Sequence, residues 1–252
     1  MELKNQTAVV TGGSRGLGLG IVEALVDQGA NVTVVARTKR DLEKVAERLG
    51  VATVAADVTD RAAARRILAE TRPAILVLNA GAPPSMATLD AHDWESFSHS
   101  WETDVKAGLH WVQAALETPL APGSRVLMGS SGAAVGGSPM SGGYGGAKRM
   151  LWMMANYADK LAAERGLGIR FQTVVPRQMI PGTGTGDAAS SAYSAKFGIP
   201  VAEYLERFGA PMPPRRYGEH LVALLSDPRY AEQRAFGLSG SEGIAVLEEA
   251  AA

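Results

Sequence analysis

The sequence predicts a single α/β domain over residues 1–252, with a doubly wound parallel sheet and helices on both faces. Three observations predict this fold. Short, continuously apolar runs alternate with longer amphipathic stretches, glycine clusters follow several of the runs, and 252 residues suit one α/β domain. Runs that are apolar at every position belong to strands covered on both faces, as in a parallel sheet.

Seven short runs are apolar, rich in β-branched residues and bounded by turn-forming residues, which predicts buried strands. Six longer stretches carry apolar residues at helical spacing, which predicts helices that pack one face on the sheet. Gly29 and Gly166 can end two of these helices, and Thr59 or Asp60 can cap the third. The predicted strands are Thr7–Thr11, Asn31–Ala36, Ala52–Ala56, Ala74–Leu78, Arg125–Met128, Arg170–Val175 and Ala235–Leu238. The predicted helices are Leu17–Gln28, Thr38–Leu49, Asp60–Thr71, Trp94–Glu117, Tyr144–Arg165 and Arg216–Leu225.

The segment 182–214 interrupts the alternation of strands and helices. It is rich in Gly, Ser, Ala and Pro and lies between the sixth strand and the last helix. Structureless loops of this length are unusual in a compact domain, so we expect a partly helical substrate lid. Large apolar residues in and beside it suggest an apolar substrate region, although a lid packed on itself has the same composition. These residues are Met179, Tyr193, Phe197, Tyr204 and Met212.

Composition argues against several classes of protein. The chain has no cysteine, and its four histidines lack metal-ligand spacing, so we expect neither disulfides nor a metal site. With 25 basic and 26 acidic side chains the net charge is −1, and we expect no nucleic-acid partner. The first residues do not resemble a signal peptide, and no apolar run approaches the length that spans a bilayer. We therefore expect no membrane association and a cytoplasmic location.

A glycine-rich turn follows the first strand, at residues 11–18 (TGGSRGLG). Glycine lets the backbone turn tightly and approach a ligand without an intervening Cβ. The free amides and the positive end of the next helix then face a phosphate group. A plain strand–helix turn also favours glycine, but the position after the first strand indicates a dinucleotide site. The predicted phosphate-binding residues are Gly12, Ser14, Arg15, Gly16, Leu17 and Gly18.

Four motifs occur in a fixed order along the chain. They are T-G-x-x-x-G-x-G at 11–18, Asn79-Ala80-Gly81 after the fourth strand, Ser131, and Tyr144-x-x-x-Lys148, with 13 residues from Ser131 to Tyr144. In this order and spacing the sequence resembles the short-chain dehydrogenase/reductase family over essentially its whole length. The resemblance implies a Rossmann fold, a nicotinamide cofactor, hydride transfer and a homodimer or homotetramer.

The same resemblance assigns catalytic roles to three side chains. Tyr144 is the general acid/base, Ser131 hydrogen-bonds the substrate oxygen, and Lys148 bonds the nicotinamide ribose. Because Lys148 lies one helical turn after Tyr144, its charge favours the ionised phenol. Ser130 is the adjacent alternative to Ser131, and a Tyr-x-x-x-Lys pair alone can also be an exposed helix pair.

The end of the second strand predicts which nicotinamide cofactor binds. An acidic residue there bonds the adenosine ribose 2′-hydroxyl and selects NAD, whereas this chain has Ala36-Arg37. Together with Arg15, Arg37 favours a 2′-phosphate and therefore NADP(H), unless both are solvated surface residues. Asp57-Val58 resembles the adenine-binding pair of the family, although Asp57 also suits a helix cap. We expect Asn79 to stabilise the sheet and Ala80-Gly81 to let the cofactor ribose approach closely.

Two positions depart from the family's pattern. The family usually has an asparagine on the fourth helix that anchors a water-mediated relay to the lysine, and this chain has Asp104. A carboxylate adds negative charge near Lys148, so we expect a catalytic role with an altered pH optimum, unless Asp104 is a solvated helix residue. After the sixth strand, Pro176-Arg177 replaces the usual Pro-Gly, and Arg177 can face an anionic substrate group or solvent. The contact to the nicotinamide carboxamide is assigned to Thr183, with Thr185 or backbone alone as alternatives.

Together these features predict an NADP(H)-dependent oxidoreductase that transfers hydride between nicotinamide and a carbonyl or secondary alcohol, as a carbonyl reductase or alcohol dehydrogenase. The alternative from another class is a regulatory protein that senses NADP(H) without turnover. A retained proton donor argues against that alternative, because binding alone needs none. A different reaction on the same fold, such as dehydration or epimerisation, stays open.

Overall fold

The computed structural model describes residues 1–118 and 120–248. Its strands are β1 (Thr7–Thr11), β2 (Asn31–Ala36), β3 (Ala52–Ala55), β4 (Ile75–Leu78), β5 (Arg125–Gly129), β6 (Arg170–Pro176), β7 (Ala235–Ser239) and β8 (Gly243–Val246). They form one sheet in the order β3-β2-β1-β4-β5-β6-β7-β8. The strands β1 to β7 all run parallel to one another, and β8 runs antiparallel to β7.

The helices connect these strands and cover both faces of the sheet. They are α1 (Gly16–Asp27), α2 (Lys39–Leu49), α3 (Arg61–Thr71), α4 (Trp94–Ser100), α5 (Lys106–Glu117), α6 (Ala133–Gly136), α7 (Tyr144–Glu164), α8 (Gly184–Phe197), α9 (Val201–Glu206) and α10 (Pro214–Ser226). Within the described residues, none of the helices combines the length and apolarity needed to cross a membrane.

The strand order confirms the predicted doubly wound α/β fold. From β1 the chain builds outward through β2 and β3, then returns to β4 on the other side of β1. In such a sheet the crossovers leave a crevice at the carboxyl ends of the two strands where the winding direction changes. The glycine turn after β1 and the Asn79-Ala80-Gly81 turn after β4 therefore lie at the same crevice.

Two details of the predicted fold are wrong. The sheet is not wholly parallel, because the chain turns back after β7 and adds β8, a half-buried edge strand that the sequence pattern did not reveal. The predicted helix Trp94–Glu117 is also not one regular helix. A π-helical turn at Trp101–Val105 separates α4 from α5, and it contains the buried Asp104.

Each face of the sheet has its own apolar layer. Val10 on β1 packs with α1, α2 and α10, whereas the adjacent Val9 packs with α3, α5 and α7. This alternation is the two-residue period of a strand that is buried on both sides. The largest fully buried side chains include Ile21 and Phe236 on the first face, and Ile67, Trp111 and Phe171 on the second.

Helix α10 packs directly against the backbone of α1. A Cβ at Gly218 would lie 2.1 Å from the Gly20 carbonyl oxygen, and a Cβ at Gly20 would lie 2.0 Å from the Pro214 carbonyl oxygen. Only glycine allows such an approach, because any side chain would overlap backbone atoms. The crossing therefore fixes α1, whose first turn forms one wall of the candidate site.

The segment 182–214 contains α8 and α9, and its aromatic residues pack on one another. Tyr193, Phe197 and Tyr204 stack with ring centroids 5.9–6.3 Å apart, and Phe208 meets Tyr204 edge-on at 5.5 Å. Met212 is fully buried in the core beside α10. Most of the apolar residues that suggested an apolar substrate region are therefore packed against each other or in the core, and only Met179 lines the candidate site.

Candidate active site

One cleft at the carboxyl edge of the sheet brings the predicted site residues together. It extends along the turns that follow β1, β2, β3, β4, β5 and β6. Gly18 alone among the predicted residues does not line it. The predicted residues that do are Gly12, Ser14, Arg15, Gly16, Leu17, Arg37, Asp57, Val58, Asn79, Ala80, Gly81, Asp104, Ser131, Tyr144, Lys148, Pro176 and Thr183.

The glycine turn forms a cradle at the start of α1. Gly12 has φ +68°, and a Cβ there would lie 2.8 Å from the Cα of Ala80. Gly18 lies behind the turn, where a Cβ would be 2.1 Å from the Gly12 carbonyl oxygen, so it supports the turn without lining the cleft. Arg15 precedes the first turn of α1 and makes no side-chain capping bond there. The first amides of α1 thus face the cleft, as binding of a pyrophosphate requires.

Thr11 fixes the second turn against the first. Its buried hydroxyl accepts hydrogen bonds from the amides of Asn79 and Ala80, at 3.1 and 3.2 Å, and donates to the Val77 carbonyl at 3.3 Å. The Asn79–Gly81 turn is held in this way beside Gly12. Because Ala80 has a small side chain, the turn leaves the floor of the cleft open.

Three charged side chains occupy the end of the cleft near β2 and β3. Arg15 and Arg37 are exposed, line the cleft, and have no ion-pair partner among the described residues. Asp57 accepts hydrogen bonds from the amide and the hydroxyl of Thr59, which lower the pKa of Asp57. The cap of α3 is Asp60, which accepts from the Ala62 amide at 2.8 Å. Asp57 is therefore not the α3 helix cap, and its carboxylate faces the cleft.

The two serines after β5 have different surroundings. Ser130 is buried, and its hydroxyl donates to the backbone carbonyl of Lys148 at 2.8 Å, which ties β5 to α7. Ser131 lines the cleft, and its hydroxyl oxygen accepts from the Ala133 amide at 3.2 Å, which leaves its proton for another acceptor. These contacts favour Ser131 over Ser130 as the residue that faces a substrate.

Tyr144 and Lys148 lie on the first turns of α7. The Lys148 Nζ is 5.6 Å from the centroid of the Tyr144 ring, and both side chains line the cleft although both are buried. Gly143 before them is tightly enclosed, because a Cβ there would be 2.5 Å from the Phe97 carbonyl oxygen. The start of α7 is thus fixed against α4, and with it the position of Tyr144.

Asp104 lies opposite Lys148 and forms an ion pair with it. Its Oδ2 is 3.0 Å from the Lys148 Nζ, and the exposed fractions of the two side chains are 0% and 8%. The alternative that Asp104 is a solvated helix residue is therefore wrong. Burial disfavours the Lys148 ammonium, but the attraction of Asp104 and then Tyr144 outweighs burial and raises the pKa of Lys148.

The segment after β6 connects the cleft to the rest of the chain. Pro176 lines the cleft, whereas Arg177 turns away and pairs with Glu242 in the β7–β8 turn at 2.9 Å. The hydroxyl of Thr183 caps α8, because it accepts from the Gly186 amide at 3.0 Å and donates to the Ile180 carbonyl at 2.8 Å. A contact from this hydroxyl to a carboxamide would compete with the bond to Ile180.

The sequence analysis missed several residues that line the cleft, Gln178 and Tyr217 among them. Gln178 bridges the Ala210 carbonyl at 2.9 Å and the Gly240 amide at 2.6 Å beside the cleft. Tyr217 on α10 is 1% exposed, and burial, followed by the nearby Tyr144, raises the pKa of its phenol. Neither belongs to a local motif: Tyr217 reaches the cleft through the packing of α10, and Gln178 follows Pro176 on the segment after β6 and bonds to the β7–β8 turn.

Comparison with known proteins places this geometry in a family. Residues 6–190 match the family model described as short chain dehydrogenase. A short chain dehydrogenase/reductase of Aspergillus aculeatus is 33% identical over 169 residues, or 64% of this chain and 58% of the relative. Human L-xylulose reductase is 32% identical over 122 residues, or 48% of this chain and 50% of the relative. The chain thus matches only about half of these relatives' lengths.

Solved structures resemble the chain over almost its full length. A Pseudomonas aeruginosa RhlG/NADP complex has a TM-score of 0.78 at 25% identity, and the match covers 95% of this chain and 97% of the chain in that complex. An L-sorbose reductase from Gluconobacter frateurii, solved with NADPH and L-sorbose, has the same fold, with a TM-score of 0.78 at 22% identity. The chain belongs to the short-chain dehydrogenase family and has a Rossmann fold.

Proposed function

We propose that this protein is an NADP(H)-dependent carbonyl reductase or alcohol dehydrogenase. The observation that carries the proposal is the convergence of Ser131, Tyr144 and Lys148 at one end of a cleft whose other end carries Arg15 and Arg37. A dinucleotide has two chemically distinct ends, and this cleft has a catalytic group at one and free cations at the other. Reductase-named relatives and an NADP-bound structural neighbour support the same assignment.

The residues present fit a phosphorylated dinucleotide. The cradle at Gly12 admits no Cβ, which is the arrangement expected where backbone amides approach a pyrophosphate. Arg15 and Arg37 would hold a 2′-phosphate by charge-assisted hydrogen bonds, and Asp57 would accept from the adenine amino group. Val58 would contact the adenine ring, while Asn79, Ala80 and Gly81 would line the ribose.

The chemistry at the other end follows from three side chains. In reduction, the Tyr144 phenol donates its proton to the carbonyl oxygen, and Ser131 donates a hydrogen bond to the same oxygen. In oxidation, the Tyr144 phenolate accepts the hydroxyl proton, and Lys148 stabilises that phenolate. The hydride chemistry at the substrate carbon would be supplied by a bound nicotinamide. Pro176 and Thr183 would contact the nicotinamide side of the cofactor.

The substitution Tyr144→Phe tests the proposal, because it removes one hydroxyl and keeps the ring. We expect turnover of a ketone panel, measured by NADPH absorbance, to fall by about a thousandfold, the usual scale for a lost general acid. Binding of NADPH, measured by quenching of tryptophan emission, should persist. Tyr157→Phe is the matched control on the same helix, since that ring is 56% exposed and lies outside the cleft.

The alternative of a cofactor sensor predicts a different outcome. A sensor would bind NADPH tightly, turn over no ketone or alcohol, and behave alike with and without the Tyr144 hydroxyl. The buried Tyr144, whose ring centroid lies 5.6 Å from the Lys148 Nζ, favours the enzyme. A dehydratase or epimerase on the same fold would instead convert its substrate without net oxidation of NADPH.

A further inference from the structure

The ion pair between Asp104 and Lys148 is an unusual component of the site, because both charges are almost completely buried. The Oδ2–Nζ distance is 3.0 Å. Asp104 lies in the π-helical turn Trp101–Val105, which adds a residue to the helix and redirects its side chains. Such turns are rare and are frequently found at functional sites.

The two oxygens of Asp104 have separate partners. Oδ1 accepts from the Ala82 amide at 2.9 Å and from the Thr103 hydroxyl at 3.0 Å. Oδ2 faces Lys148, and a Cβ at Gly81 would lie 2.9 Å from it, so the glycine leaves room for this oxygen. One oxygen therefore anchors the turn after β4, and the other is free to compensate a charge.

Few other ionisable groups face this pair. Tyr144 comes from the same helix as Lys148, with its ring centroid 5.6 Å from Nζ. The buried Tyr217 on α10 lies near Tyr144. The exposed Glu102, in the π-helical turn, also lines the cleft. The Lys148 backbone carbonyl, which is not ionisable, accepts a hydrogen bond from Ser130. The ion pair thus brings one acidic and one basic side chain together beside the Tyr144 phenol.

We propose that Asp104 is a positioning residue that holds Lys148 by a direct ion pair and offsets its charge beside Tyr144. The proposal rests on the proposed function and deepens it. A lysine whose charge is offset stabilises the Tyr144 phenolate less than a lone cation does. Alcohol oxidation, which uses the phenolate as base, is therefore expected to need a more alkaline pH than it would beside an uncompensated lysine.

The variant Asp104→Asn separates charge from structure. Asparagine keeps an oxygen that can accept from the Ala82 amide, but it leaves the cluster with one more positive charge. The uncompensated charge of Lys148 should then stabilise the Tyr144 phenolate, so that the phenol releases its proton at lower pH. We expect the acidic limb of kcat/KM for alcohol oxidation to move to lower pH by about one unit, the scale of an adjacent unit charge.

Two controls define the result. Thr103→Val removes a hydrogen bond to Oδ1 without changing charge, and its acidic limb should coincide with that of the unsubstituted protein. Asp104→Ala removes both charge and anchor, and its limb should move as in Asp104→Asn, with an additional loss of thermal stability. An acidic limb in Asp104→Asn that coincides with that of the unsubstituted protein would overturn the proposal.

A second measurement does not depend on turnover. Phenolate absorbance of the cofactor-free protein follows its six tyrosines during an alkaline titration. Asp104→Asn should contain one tyrosine that ionises earlier than in the unsubstituted protein, and adding Tyr144→Phe should remove that early transition. If no alcohol or ketone is turned over, the proposed function fails, and this titration still decides the role of Asp104. If no tyrosine of Asp104→Asn ionises earlier than in the unsubstituted protein, Asp104 does not offset the charge of Lys148.

Discussion

At the residue scale, two exposed arginines would determine the cofactor. Arg15 and Arg37 come from different turns, and both line the end of the cleft near β2 and β3, where we propose that the adenosine binds. We predict that Arg37→Glu weakens NADPH binding by about tenfold or more, roughly 1.4 kcal/mol, because a carboxylate repels the 2′-phosphate. NADH should lose much less affinity, since a glutamate there can accept from a ribose hydroxyl. Tryptophan quenching with each cofactor measures the ratio.

The control for this prediction makes the same change of charge at a nearby arginine outside the cleft. Arg40→Glu alters an exposed residue of α2 that does not line the cleft, so its effect on both cofactors should be small and equal. Equal losses of NADPH and NADH affinity in Arg37→Glu would contradict the assignment. Weakening of the NADPH preference with added salt would be consistent with it, because exposed charges are screened.

At the element scale, the sequence predicted the parts of the fold that local patterns encode. The strands from β1 to β7 and the turns after β1 and β4 are recognisable because continuous apolar runs and glycine clusters mark them. Strand β8 is half-buried and four residues long, so its pattern does not differ from that of a loop. The π-helical turn was not recognisable, because the apolar residues around it fit the spacing of a regular helix. The turn becomes evident only in the structure, where Asp104 contacts Lys148 and the Ala82 amide.

The same distinction applies to the candidate site. Ser131, Tyr144 and Lys148 were recognisable because they belong to motifs with fixed spacing. The pairing of Lys148 with Asp104 and the place of Tyr217 depend on contacts between distant segments, which spacing along one chain does not encode. The hydrogen bond from Ser130 to Lys148, which distinguishes the two serines, is of the same kind.

The crossing of α1 and α10 gives a prediction for an element. We expect Gly218→Ala to lower the free energy of unfolding by about 3 kcal/mol, because the added methyl would overlap the Gly20 carbonyl and force the helices apart. Since α1 carries the phosphate cradle, NADPH affinity should fall as well. Gly136→Ala is the control, because its Cβ would have open space. Urea unfolding of both variants measures the difference, and equal stabilities would contradict a tight crossing.

At the scale of the whole molecule, three of the exposed large apolar side chains lie on two neighbouring helices. Leu109 on α5 and Met153 and Tyr157 on α7 are 43%, 36% and 56% exposed. These two helices pack on each other, since a Cβ at Gly108 would touch Leu151 and Met154. A surface of paired helices with large apolar side chains suits a symmetric contact between two copies, in which each surface covers the other.

We therefore predict a homodimer or homotetramer that depends on this surface. Placing glutamates at Leu109 and Met153 together buries like charges across a symmetric contact, so the doubly substituted protein should dissociate at micromolar concentration, a dimer into monomers or a tetramer into dimers. Size-exclusion chromatography with light scattering measures the mass. Leu89→Glu is the control, because Leu89 is 71% exposed and lies outside α5 and α7. An unchanged mass in the double variant would mean that another surface joins the copies.

The same surface affects catalysis, since α7 also carries Tyr144 and Lys148. Dissociation should loosen the start of that helix, so turnover should fall in the double variant as its mass falls.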